Sequence, residues 1–150
     1  MRHMFCVTDI RLCYQICIFA KKEQHHTKTY SVNIKHIINT PMTIDFNTQP
    51  FESFPNFKGG EKELKAQMFF DGTNRILHGI LVPGASIGEH THDTNSEILF
   101  IIKGKGTIID DGVCSPVEAG QCTYCPKGHS HSLVNTSDAD LEFYAAVPNQ

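Results

Sequence analysis

Glycine, proline and polar turn residues interrupt the second half of this sequence so often that no long helix fits there. Turn signals stand at Asp71-Gly72-Thr73-Asn74, Pro83-Gly84, Gly104-Lys105-Gly106, Asp111-Gly112, Ala119-Gly120, Pro126-Lys127-Gly128 and 135–139. Glycine admits backbone angles that other residues avoid, and proline removes a donor that both helix and sheet need. Between these breaks lie short apolar or alternating runs, at 65–70, 75–82, 87–92, 97–103, 107–110, 113–117 and 141–147, with two more between 120 and 135. Asp111-Gly112, flanked by two such runs, is a two-residue hairpin signal. Many short strands with regular punctuation predict an all-β barrel or jelly roll. There is no internal repeat and no sign of a second domain.

The first 41 residues differ in character. They carry six basic and two acidic side chains, a net of +4, which leaves −7 on residues 42–150 of a chain whose total is −3. An acidic body does not attract phosphate backbones, so nucleic acid is not an expected partner. Residues 1–41 show no sustained periodicity, and Met42 stands where the texture changes. One reading makes 1–41 a poorly structured N-terminal extension, upstream of a natural start at Met42, with the domain at 42–150. The other makes part of it a strand that pairs with the barrel. The apolar stretch 4–20 is interrupted by Asp9 and Arg11, which a secretion signal tolerates poorly. Nowhere does the chain offer the eighteen or so consecutive apolar residues of a membrane span. The six cysteines lack the dense spacing of a disulfide framework and suit free thiols in a reducing cytoplasm.

Four residues then stand out for their chemistry. Residues two apart on a strand share a face, so His90 and His92 point the same way. Glu97 follows a short loop at the head of the next strand, and His131 lies on a later strand behind the Pro126/Gly128 turn. Three imidazoles and one carboxylate form a mixed nitrogen and oxygen set. It suits one divalent Mn, Fe, Co, Ni or Zn ion and is unlike the oxygen-only shell of calcium.

The run Gly84, His90-Thr91-His92, Glu97, Gly104 resembles the first motif of the cupin superfamily at each fixed position. The run Gly120, Pro126-Lys127-Gly128, His131, Asn135 resembles the second. The resemblance covers residues from about 62 to 150 and is to small single-domain, RmlC-like metal-binding cupins. It implies a β-barrel of six or more strands with the metal inside, held by His90, His92, Glu97 and His131. It does not fix the reaction, because cupins include isomerases, epimerases, decarboxylases, dioxygenases, storage proteins and ligand-binding domains.

Three further residues are candidates for the pocket lining. His78 is either an acid/base group or a core histidine, Arg75 an anion clamp or a solvated strand end. His129 is either a support for the site or a surface side chain. Cys122 and Cys125 have C-x-x-C spacing but lie on a strand rather than at the start of a helix, and read as incidental thiols. The functional expectation is a metal-dependent enzyme of the isomerase, decarboxylase or dioxygenase type. Its substrate would be a sugar, sugar phosphate, hydroxy acid or dicarboxylic acid. The alternative is a non-catalytic binder or sensor that holds its ligand through the metal. A storage role fits an intact ligand set less well. Ile98–Ile102 is apolar on both faces, which predicts a homodimer covering the outward set.

Overall fold

The computed structural model describes residues 43–150, and the expectations placed on 1–41 lie outside the described residues. Ten strands form two antiparallel sheets. They are β1 (Glu52–Pro55), β2 (Glu63–Phe70), β3 (Arg75–Leu81), β4 (Ser86–Thr91), β5 (Glu97–Lys103), β6 (Lys105–Asp110), β7 (Val113–Glu118), β8 (Cys122–Cys125), β9 (Ser130–Val134) and β10 (Leu141–Val147). One sheet has the order β1-β2-β3-β10-β5-β8 and the other β4-β9-β6-β7. This is the expected all-β, cupin-type jelly roll.

Alternation decides which residues enter the core. From the six-stranded sheet come Leu64 and Ala66, Leu77 and Leu81, Leu99 and Ile101, and Leu141 and Phe143; from the four-stranded sheet come Ile87, Ile108, Val117 and Leu133. Phe143 is fully buried opposite Gly79, where an added Cβ would stand 2.4 Å from its ring. The glycine therefore makes room for the ring. On β5 the same alternation turns Phe100 and Ile102 outward, where both are exposed.

The turns behave as their residues predict. Asp111 (φ 45°) and Gly112 (φ 80°) join β6 and β7 with both central residues left-handed, as a two-residue hairpin requires. Asn135 is buried, and its side-chain amide donates to the carbonyls of Leu81 (2.7 Å) and Ala139 (2.8 Å) while its Oδ1 accepts from Ser137. That motif residue thus ties the end of β3 to the loop before β10.

Residues 44–51 lie across the outer face of β2, β3 and β10. Gln67 anchors them by donating to the carbonyls of Phe46 and Gln49, and Phe46 and Phe51 pack on His78. Neither this segment nor β1 stands out in the sequence.

Candidate metal centre

The centre is built where β4 departs from regular pairing. Ile87 opposes Leu133 and His90 opposes His131, so β4 takes one residue more than β9 over this stretch. The extra residue makes a β-bulge at Gly88–Glu89, and it changes which side chains face inward. Without it Glu89 would share the interior face with Ile87. With it, His90 and His92 do.

The bulge has a backing. Residues 58–60 press directly on β4, so closely that a Cβ on Gly88 would stand 2.2 Å from the Lys58 carbonyl oxygen. One on Gly60 would stand 2.2 Å from that of Ser86. Past the strand, the backbone of His92 is held from both sides, its N–H donating to the His129 carbonyl (3.0 Å) and its own carbonyl accepting from Gly128 (2.8 Å). The Pro126–Gly128 turn of the second motif therefore positions a histidine of the first.

Glu97 Oε2 lies 3.1 Å from His92 Nε2, 2.9 Å from His131 Nε2 and 3.9 Å from His90 Nε2. The Nε2 atoms of His92 and His131 are 3.0 Å apart, and the four donor atoms all lie within 4.8 Å of one another. Separations of about 3 Å are those of neighbouring donors around an ion with bonds of about 2.1 Å. His92, Glu97 and His131 are buried and His90 is partly exposed, so one side of the cluster stays open to a small ligand.

Two hydrogen bonds set the histidines for this task. Nδ1 of His90 donates to the Gly88 carbonyl (2.9 Å), and Nδ1 of His92 to Oδ1 of Asn95 (2.5 Å). With the proton on Nδ1, each neutral ring turns the Nε2 lone pair to the centre, as metal ligation requires. His131 differs, because its Nδ1 is buried and has no partner among the described residues. The donor set fits one divalent transition-metal ion.

The electrostatics agree with that fit. Without a metal, when His131 and His92 carry a proton on Nε2, burial would push the Glu97 carboxyl up, but hydrogen bonds from those two rings, aided by their charge, hold it at about 2. Burial lowers His90, outweighing its bond to Gly88, while the hydrogen bond with Glu97 raises His92. A carboxyl with an ordinary value of 4.5 and a folded value near 2 stabilises the fold above pH 4.5. That contribution is lost as the pH falls from there toward 2. The unfolding midpoint of the metal-free protein is therefore expected to drop across this window, and to drop less in Glu97→Gln. Parallel curves for the two proteins would contradict it.

The other sequence candidates lie elsewhere. His78 faces out from β3 in register with Gln67 and Tyr144, bonded to Gln67 (2.8 Å) and Glu142 (2.6 Å) and stacked on Tyr144. It lines a cavity of about 470 Å³ under residues 44–51, on the opposite side of the sheet from the four donors. Arg75 opens β3 with its guanidinium 5.4 Å from the Phe70 ring centre. His129 is exposed and pairs with Asp111 (2.5 Å). The alternation of β3, with Leu77, Gly79 and Leu81 inward, is what sends His78 outward.

Cys122 and Cys125 point to opposite faces of β8, Cys122 opposite Phe100 and Cys125 opposite Glu97, so they share no ligand. Cys125 is buried, and its thiol is pushed up to about 11 by burial and then by the charges of Asp110, Glu97 and Asp111. It stays protonated beside the centre. Asn95 is the support that sequence reading missed: a polar residue in the loop before Glu97, with nothing in the sequence to set it apart from its neighbours.

Comparison with known proteins places these features. A family model described as "Cupin domain" matches residues 77–147. An oxalate-binding protein from Thermotoga maritima is 33% identical over 102 residues, covering 64% of this chain and 84% of the relative. Among solved structures, a predicted oxalate decarboxylase from Thermotoga maritima superposes with a TM-score of 0.69 at 30% identity, covering 73% of this chain and 100% of that one. An RmlC-like cupin from Shewanella frigidimarina, at 18% identity and a TM-score of 0.61, covers 74% of this chain and 93% of its own and shares the fold.

Proposed function

The chain belongs to the cupin family, and on that premise we propose that it is a metal-dependent enzyme acting on a small, oxygen-rich acid. A dicarboxylate such as oxalate is the first substrate to test. The observation that carries this reading is the donor cluster, in which His90 and His92 each have Nδ1 on an oxygen acceptor and Nε2 directed at Glu97 beside His131.

His90, His92, Glu97 and His131 would hold one divalent Mn, Fe, Co, Ni or Zn ion. When bound, the ion supplies Lewis acidity, polarising a ligand oxygen and offsetting its charge. Glu97 neutralises one of the ion's two charges, so an anion still meets net attraction. The partly exposed edge at His90 gives the ligand its approach, while the buried side keeps water from the other three donors. The relatives' descriptions, one oxalate-binding and one a predicted oxalate decarboxylase, support a dicarboxylate over a sugar phosphate. The first of them also favours a second reading, in which the protein holds such an acid without converting it.

Calorimetry separates these readings when combined with product analysis. Oxalate is expected to bind the metal-loaded protein and to lose its affinity when the metal is removed. Release of carbon dioxide and formate marks an enzyme, and tight binding without product marks a binder. If neither oxalate nor a hydroxy acid binds the loaded protein, the acid reading is wrong.

The same proposal extends to domain boundary, assembly and location. The domain spans 42–150 and pairs with a second copy through the outer face of β5 and β8. There Phe100, Ile102 and Tyr124 are exposed together with no charged side chain among them. Residues 44–51 cover the β2–β3–β10 part of this face and leave that part open. An uncharged apolar patch is matched by its own copy across a two-fold axis. A chain beginning at Met42 is expected to fold and to show a dimer mass by light scattering. A monomer mass would contradict the pairing, and aggregation the boundary. The free thiols of Cys114, Cys122 and Cys125 support a reducing compartment, the cytoplasm. None of the described helices is long and apolar enough to cross a membrane.

A further inference from the structure

We propose that Asp110 is a positioning residue of the metal centre, accepting a hydrogen bond from Nδ1 of His131 and so fixing that ring for ligation. The inference rests on the metal reading above and adds to it a residue that lies outside the four-donor set.

The hydrogen bonding behind the three histidines is incomplete. His90 and His92 each have an acceptor on Nδ1, whereas Nδ1 of His131 is buried with no partner among the described residues. When Nε2 of His131 faces the centre as a lone pair, its Nδ1 must carry the proton, and a buried N–H needs an acceptor. Metal-bound histidines usually find this acceptor in a carboxylate or a backbone carbonyl.

Register shows which group is available. His131 on β9 lies directly opposite His90 on β4 and Asp110 on β6. Directly opposed residues in an antiparallel pair point to the same face, with their Cβ atoms about 5 Å apart. Asp110 therefore shares the interior face with His131, consistent with buried Ile108 two residues before it.

The alternatives are already engaged. His90 uses Nδ1 on Gly88 and directs Nε2 into the cluster. Asp111, the next residue along, accepts from the Ser130 N–H and pairs with His129. The Asp110 carboxylate is half-buried and takes part in no hydrogen bond or ion pair among the described residues. An orphaned donor and an uncommitted acceptor thus stand as cross-strand neighbours.

The test uses the full chain and zinc. Zinc affinity is measured by chelator competition for wild type, Asp110→Ala and Asp110→Asn, together with the melting temperature of each metal-free protein. Asp110→Ala is expected to lose about 10- to 100-fold in zinc affinity, with little change in metal-free melting. Asp110→Asn keeps an acceptor oxygen and is expected to recover part of that loss. In the proton spectrum of the zinc-loaded wild type, the His131 Nδ1–H is expected as a slowly exchanging signal that Asp110→Ala loses. Equal affinity in wild type and Asp110→Ala would overturn the proposal. So would an Asn variant as weak as Ala, or a loss matched by equal destabilisation of the metal-free fold. A wild type that takes up no zinc would overturn the metal reading itself, and this one with it.

Discussion

Alanine in place of His131 is expected to reduce the bound metal to a small fraction of one ion per chain. Binding free energies of about 10–16 kcal/mol for four-ligand zinc sites divide into roughly 3 kcal/mol per ligand, so losing one costs on the order of 10²-fold or more in affinity. His131 is the severe case because it is buried and its Nε2 lies within 3.0 Å of both Glu97 and His92. Its removal opens the closed side of the cluster, and among the described residues no further His, Cys, Asp or Glu belongs to that group. Cys122→Ser, on the outer face of β8, is expected to leave the metal content unchanged. Metal analysis of both variants after reconstitution checks this pair of outcomes. Equal loss in the two would remove His131 from the ligand set.

Gly88→Ala is expected to destabilise the fold by about 3 kcal/mol or more, at the upper end of what overpacking costs. The new Cβ would meet the Lys58 carbonyl oxygen at 2.2 Å and the Gly60 nitrogen at 2.7 Å. Both are backbone atoms, so no flexible side chain can swing aside. Relief requires residues 58–60 to lift from β4, which disturbs the bulge that turns His90 and His92 inward. The loss should therefore appear in both the urea midpoint and the metal affinity. Gly112→Ala is the control. It changes a turn glycine with open space around its Cβ position, so its cost should be confined to the strain of a positive φ. A Gly88→Ala protein as stable as wild type would mean that residues 58–60 are not packed on β4 as described.

The strands from β2 onward and the four donors were legible in the sequence because both rest on local signals. Turn residues mark strand ends, and two histidines two apart followed by a glutamate keep their spacing whatever the rest of the chain does. The Asp111-Gly112 hairpin is the clearest instance, with strand boundaries falling at Asp110 and Val113. What could not be read depends on contacts between distant segments. The bulge at Gly88–Glu89 is invisible to simple alternation, since only pairing with β9 shows that β4 has a residue to spare. The packing of residues 44–51 onto Gln67 joins segments about twenty positions apart and carries no periodic mark. His78 was hard to place for the same reason. Its neighbours Leu77 and Ile76 are both apolar, so the sequence does not say which face is the interior. Asn95 and Asp110 gain their meaning only from the histidines beside them.

X-ray absorption at the edge of the bound metal, in the reconstituted full-length protein, tests the central claim most directly. One divalent ion per chain is expected in a shell of nitrogen and oxygen at about 2.0–2.2 Å, with imidazole scattering and no sulphur neighbour at about 2.3 Å. A sulphur shell, or protein that holds no metal after reconstitution, would contradict it.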